Sequence, residues 1–290
     1  MPAESMPSVI APSRFQGLDA IQLCSPDGAR ATVLLHGAHV VSWVPAGADE
    51  QLYLSPESAF AAGQAVRGGV PVIFPQFNAR GPLQRHGFAR NKAWQMVLAQ
   101  QRADDALAVL QLRDDAATRA SWPHAFGLEL RVRIGTAWLE ITLSCQNQGH
   151  APLAFTGALH TYLRVDTLAG AGLHGLAGLQ YWDAVADTIQ IQQDEWLQPS
   201  GDLDRVYYGV DRDLLLSESG GRHGRQLQIH QHGFEDAVVW NPGAAKCAAL
   251  ADMPPDGYRN MVCVEAASIA RPVQLAPGER WSGMQKLSLL

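Results

Sequence analysis

Lysine is almost missing from this 290-residue chain. Only Lys92, Lys246 and Lys286 occur, so arginine supplies nearly all the positive charge, and the formal net charge is still −6. Such a balance makes nonspecific binding to nucleic acid or an anionic membrane a poor reading of the chain. Cysteine is sparse too. Cys24, Cys145, Cys247 and Cys263 form no C-x-x-C pair, which argues against a zinc knuckle or a thioredoxin-like motif. Cys145 and Cys263 sit in apolar strand patterns and read as buried free thiols of a reducing compartment. No apolar run approaches the ~20 residues of a membrane helix. The opening MPAESMPSVIAPSRF has neither a basic start nor an apolar core, so it does not read as a secretory signal. A cytoplasmic protein is expected. Long helical periodicity, internal repeats and dividing linkers are also lacking.

What the chain has is alternation. Phe126, Leu128, Leu130, Val132 and Ile134 share one face of a strand. After Gly135-Thr136 the pattern resumes with Ala137, Leu139, Ile141, Leu143 and Cys145, which predicts a half-buried antiparallel hairpin. Similar runs read as strands at 18–24, 30–36, 94–98, 106–112, 159–165, 226–230, 236–240, 261–266 and 281–289. Turn chemistry separates them: SPDG at 25–28, NPG at 241–243, PPDG at 254–257 and APGE at 276–279. One short helix is expected over 55–64, capped by Ser55 with Pro56 in its first turn. Many strands without intervening helices predict an all-β fold, one large sandwich over residues 14–290 behind a flexible arm at 1–13. A sandwich of this size buries enough core to stand as a monomer.

One stretch fits no regular element. From Arg67 to Arg90 the chain reads RGGVPVIFPQF, a polar turn, then RHGFAR. Glycine and proline break it repeatedly, and Arg67, Arg80, Arg85 and Arg90 stand beside apolar residues. Arginine's planar fork suits phosphate and carboxylate, so this segment reads as a pocket wall for an anion. Two further residues stand out. His160, in LHTYLRV, shares a face with Tyr162 and Arg164; it is either a proton donor near neutral pH or a polar residue on a wet face. Glu265, in MVCVEAA, lies on a strand apolar on both faces; it is either functional or in an ion pair with a core arginine.

The pattern Arg-Gly-Gly-Val-Pro-x-x-Phe-Pro-x-Phe followed by His-Gly-Phe-Ala-Arg resembles the signature of the hexose-6-phosphate 1-epimerases. These belong to the aldose-1-epimerase, or galactose-mutarotase-like, superfamily. LHTYLRV (159–165), LDRVY (203–207) and VCVEAA (262–267) extend the resemblance over most of the chain. It implies a large twisted β-sandwich and a cofactor-independent, metal-free interconversion of the anomers of an aldohexose 6-phosphate, with D-glucose 6-phosphate expected. By motif, His160 matches the family's acid and Glu265 its base. Arg67 and Arg90 match arginines associated with the sugar phosphate, and His86 and Asp204 match substrate contacts. Arg85 adds a further phosphate contact or faces solvent. Each has a plainer reading: Arg67 and Arg90 as structural arginines, His86 as a loop anchor, Asp204 as an ion-pair partner of Arg205. Phe74, Phe77 and Trp240 are candidates to stack on a sugar face. Other functions remain open: an epimerase of unphosphorylated sugars, a noncatalytic sugar-phosphate binder, or a metal-dependent isomerase. The last would use His230 and His232, or His36 and His39.

Overall fold

The chain alternates because it is built almost wholly of antiparallel strands. The computed structural model of the protein describes residues 8–219 and 224–290. The expected hairpin forms from Phe126–Gly135 and Trp138–Asn147, with Leu139 opposite Ile134 and Cys145 opposite Leu128. It lies in the middle of a ten-stranded sheet. On one side Gln95–Gln101 and Ala106–Arg113 extend that sheet; on the other, Arg280–Leu289, Gln226–His232 and Leu214–Glu218 do so. A second sheet of eight strands runs Thr188–Ile191, Gln180–Asp183, Leu203–Tyr207, Asp236–Asn241, Met261–Leu275, Leu153–Leu159 and Val72–Ile73, with Tyr162–Arg164 also paired to Met261–Leu275. Pro12–Phe15, Leu18–Cys24, Arg30–Leu34 and Val40–Val44 make a third. One apolar cluster joins all three, from Ile21 and Val40 through Leu110 and Leu130 to Leu159 and Val264. The all-β sandwich architecture is therefore the observed one.

Three local expectations need correction. Residues 55–64 form turns, not a helix. Leu54 bridges Gly68, and the Ser55 amide donates to the Arg67 carbonyl at 3.0 Å, which holds the chain extended where the helix should start. Residues 1–7 of the expected arm lie outside the described residues, but the rest of it is ordered by strand pairing. Ser8 and Val9 pair with Gln101 and Gln100, and Pro12 begins a strand where its missing N–H costs no ladder bond. The expected strand 159–165 is interrupted at His160 and Thr161: the His160 amide donates to the Pro71 carbonyl at 3.0 Å, and the Thr161 amide bends back to donate to the Leu159 carbonyl at 2.9 Å.

That interruption sets up the site. The pairs Leu159–Ala266 and Tyr162–Cys263 keep one register across the gap, which places His160 directly opposite Glu265. No helix among the described residues is long and apolar enough to cross a membrane.

Candidate active site

Five segments converge on one cavity of about 410 Å³ over the eight-stranded sheet. Its walls include Arg67, Arg85, His86, Arg90, His160, Asp204 and Glu265, all seven residues singled out from the sequence. They come together because the Arg67–Arg90 segment is folded hard against the sheet. Gly87 shows how tightly. Its φ is +67°, and a Cβ there would stand 2.1 Å from the Phe74 carbonyl oxygen. Gly87→Ala is therefore expected to cost roughly 2–3 kcal/mol, from left-handed backbone strain plus a clash with main chain. A thermal melt of the variant checks this; an unchanged Tm would mean the loop yields freely at Gly87. The neighbouring His86 holds φ +68° without glycine's freedom. Such backbone strain concentrates at functional sites.

Glu265 is 1% exposed and His160 is buried, with Nδ1 of His160 3.3 Å from Oε1 of Glu265. The contact is close but poorly aligned: neither His160 Nδ1 nor Glu265 Oε2 has a hydrogen-bond partner among the described residues. Burial drives the two groups apart in acidity. Desolvation, then His86, Arg90 and Arg67, push the His160 imidazolium well below the ordinary histidine range. Desolvation, then Asp204, push the Glu265 carboxyl well above the carboxylate range, against the pull of Arg90. A carboxyl with so raised a pKa beside an imidazole suits proton exchange with a bound molecule. Neither plainer reading survives. His160 is not on a wet face, and no arginine pairs with Glu265 among the described residues.

The ring of His160 is clamped. Tyr162 stacks on it with centroids 4.8 Å apart and planes 10° from parallel, while His86 and Trp240 meet it edge-on. Tyr162 also accepts a hydrogen bond from Arg67 Nη1 at 3.1 Å. Arg67 reaches Asp252 through Nε and Nη2, at 3.2 and 3.1 Å, so it ties the loop together while lining the cavity. Arg90 is different. Its Nη2 donates to the Arg85 carbonyl at 3.1 Å, but its buried Nε has no partner among the described residues. Burial, and less strongly Arg67 and Arg85, bring its pKa down to about 10, still cationic at neutral pH. Neither Arg85 nor Arg90 has a carboxylate partner among the described residues. The fourth arginine of the segment, Arg80, lies over Trp182 at 4.1 Å and does not line the cavity.

His86 is anchored as its plainer reading requires: Nδ1 accepts from the Asn78 amide at 3.3 Å. The proton therefore sits on Nε2. Burial and the three arginines lower the pKa to about 3, so the ring remains a neutral donor. Asp204 is not paired with Arg205, which turns instead to Asp183 at 3.5 Å and to the face of Tyr181. Burial raises the pKa of the Asp204 carboxyl, while Lys246 and Arg85 oppose the shift. Phe77 and Trp240 line the cavity. Phe74 does not: it is packed among Phe88, Trp122, Phe126 and Phe155 in the core.

Sequence reasoning missed Lys246 and Asn78. Lys246 lines the cavity from the short helix Gly243–Ala248 and pairs with Asp202 at 2.7 Å. Asn241-Pro-Gly, read as a plain turn, opens this helix: Asn241 Oδ1 accepts from the Gly243 amide at 2.9 Å. The scarcity of lysine was a usable signal for Lys246. Of the suspected metal ligands, His230 bonds to Asp213, His36 to the Gln64 carbonyl and His39 to the Gly68 carbonyl. His160, Cys263 and Glu265 do offer donor atoms within 4.8 Å of one another. Desolvation and Glu265 push the Cys263 thiol well above its ordinary range, and Arg67 and Arg90 place positive charge near His160 in this cluster.

The model of the aldose 1-epimerase family matches residues 19–288. A curated Escherichia coli protein named "Putative glucose-6-phosphate 1-epimerase" is 36% identical, covering 91% of this chain and 88% of its own length. A Salmonella typhimurium protein of the same name is 33% identical, covering 93% and 90%. The crystal structure of "a putative mutarotase" from Salmonella typhimurium superposes with a TM-score of 0.89 at 32% identity, over 97% of this chain and 93% of that one. The chain belongs to the aldose 1-epimerase family.

Proposed function

We propose that this protein interconverts the α and β anomers of an aldohexose 6-phosphate, with D-glucose 6-phosphate as its substrate. The observation that carries this is a buried imidazole–carboxyl pair, His160 and Glu265 at 3.3 Å, in a cavity that also holds Arg85 and Arg90, which have no carboxylate partners among the described residues. The names of the Escherichia coli and Salmonella relatives support the substrate.

In this reading a proton first passes from Glu265 to His160, the reverse of what burial favours, and Glu265, as carboxylate, then takes the proton of the anomeric hydroxyl. His160, as imidazolium, gives its proton to the ring oxygen. The C1–O5 bond breaks with its electron pair on O5, and C1 becomes an aldehyde. Rotation about C1–C2 turns the other carbonyl face toward the C5 hydroxyl. On reclosure His160 takes a proton back from the C5 hydroxyl and Glu265 gives its proton to the aldehyde oxygen, so both residues are restored and the net chemistry is proton transfer within a single substrate. A positioned acid or base contributes ~10²–10⁴-fold. Arg67, Arg85 and Arg90 hold the phosphate. The neutral His86 Nε2–H and the Asp204 carboxylate meet sugar oxygens. Free cysteines and the net charge of −6 support a cytoplasmic enzyme without nucleic-acid or membrane partners, and the extent of the core supports a monomer.

Magnetisation-transfer NMR tests it. Anomer exchange of glucose 6-phosphate should accelerate far more than that of glucose at equal concentration. Acceleration of glucose alone would move the assignment to unphosphorylated sugars. Acceleration of neither would favour a binding protein.

A further inference from the structure

Tyr162 touches both halves of the site with different parts of one side chain. Alternate residues of a flat strand stand roughly 6.6–6.8 Å apart. His160 and Tyr162 are such alternates, yet their ring centroids are 4.8 Å apart and their planes 10° from parallel. Between them the Thr161 amide bends back to the Leu159 carbonyl, and the two rings lie face to face across that bend. Tyr162 itself is fixed. Its amide donates to the Gly69 carbonyl at 2.9 Å, its carbonyl accepts from the Tyr53 amide at 3.0 Å, and it pairs with Cys263 in the sheet. Trp240 meets both rings edge-on, with centroids 6.0 Å away in each case. At its other end, the Tyr162 hydroxyl accepts from Arg67 Nη1 at 3.1 Å, the one hydrogen bond it makes among the described residues. Packing alone does not ask for that hydroxyl. Tyr162 is 2% exposed, in a cluster with Cys247, Met253 and Met261, where phenylalanine would pack as well and bury no polar group.

We propose that Tyr162 is a positioning residue with two separable tasks: its ring fixes the orientation of the His160 imidazole, and its hydroxyl fixes the Arg67 guanidinium. The first task rests on the acid role given to His160 above, and the second on the phosphosugar reading. Tyr162 does not line the cavity, so it acts through these two residues. The imidazole has no hydrogen-bond partner on Nδ1 among the described residues, so packed surfaces hold its angle. Without the flat face of Tyr162 the ring turns about its Cβ–Cγ bond, and its proton is aimed at the ring oxygen for less of the time. That is a loss in kcat. Without the hydroxyl, Arg67 keeps Asp252 but loses the tie on Nη1, and its fork is held less firmly for the phosphate. That is a loss in KM for the phosphosugar alone.

Two substitutions separate the tasks, each read by anomer exchange of glucose 6-phosphate and of glucose with kcat and KM resolved. Tyr162→Phe keeps the ring and removes the hydroxyl. KM for glucose 6-phosphate should rise about 3- to 10-fold, the loss of one hydrogen bond, and kcat should fall far less than in Tyr162→Leu. Tyr162→Leu removes the flat face. Its kcat should fall roughly 10- to 100-fold on both sugars, since a misplacement of about 1 Å costs on that order. In a His160→Ala background the same leucine substitution should add almost no further loss to the residual exchange, because the group it positions is gone. A merely structural tyrosine predicts the same factor in both backgrounds, and equal kcat losses in the phenylalanine and leucine variants. Either result would overturn the proposal. If Tyr162→Leu does not fold, Tyr162→Phe decides alone: a loss carried by kcat, or a KM rise equal for glucose and its phosphate, overturns it. If the unsubstituted protein accelerates glucose but not glucose 6-phosphate, the phosphosugar reading fails and the hydroxyl's task falls with it, while the ring's task is still decided on glucose. Acceleration of neither sugar by the unsubstituted protein would defeat the underlying reading instead.

Discussion

Glu265→Gln should abolish nearly all activity and make the protein more stable. The amide keeps the shape of the carboxyl and cannot take a proton from the anomeric hydroxyl, so kcat should fall by ~10²–10⁴. The stability change follows from linkage. Desolvation raises the Glu265 pKa in the folded protein, so the folded state binds this proton more tightly than the unfolded chain. The carboxyl is therefore harmless to stability below the unfolded pKa of about 4.3. Its cost grows as pH rises from there toward the folded pKa, where the buried group either stays protonated against the solvent's pull or ionises without water. Glutamine carries no such cost, so the gain in Tm should be present at neutral pH and vanish in acid. Activity measured beside melts at neutral and acidic pH checks both halves. Loss of activity together with loss of stability at neutral pH would point to a structural carboxyl. Gain of stability with activity retained would remove Glu265 from the mechanism. The expected combination is that of a residue kept for function at the expense of the fold.

Arg67→Ala should separate phosphosugar from sugar. Charge-assisted hydrogen bonds contribute about 1.5–3 kcal/mol each, so kcat/KM for glucose 6-phosphate should fall roughly 10- to 150-fold, mostly through KM. Exchange of glucose should change little. Part of the loss arises from what the truncation leaves behind. Asp252 loses its partner and becomes an unneutralised anion at the phosphate end of the cavity, and the Tyr162 hydroxyl loses the donor that fixes it. Arg67→Lys should recover charge without the fork that bonds Asp252 and Tyr162 together, and so restore affinity only in part. Steady-state kinetics on both sugars with both variants checks this. Equal losses on glucose and its phosphate would make Arg67 a loop tie and nothing more.

Strand content and the faces of strands were legible in the sequence because a strand's side chains alternate, and one buried face writes that alternation into the chain. The hairpin of residues 126–147 needed nothing else. Glu265 was legible for the same reason: a lone carboxylate in a strand apolar on both faces has to be explained. The short edge strands Thr188–Ile191 and Trp196–Leu197 left little trace, since one of them is exposed along its whole length and carries no alternation. The expected helix at 55–64 failed because capping chemistry is a local preference, and the pairing of Leu54 and Ser55 with the Arg67–Gly68 segment outweighs it.

By itself, the sequence determined that this is an all-β chain with an arginine-rich broken segment, a histidine and a buried glutamate. Tertiary structure decided that these meet. His160 stands opposite Glu265 because the register of pairing with Met261–Leu275 continues on either side of the break in its strand. Asp204 turns away from its neighbour Arg205 because adjacent residues of a strand point to opposite faces. Arg67 is neutralised and Arg90 is not, a distinction set by Asp252, which lies 185 residues further along the chain from Arg67. No local pattern encodes these relations, because burial and charge pairing are properties of which segments the fold brings together. They nonetheless decide which groups hold protons and where an anion is wanted.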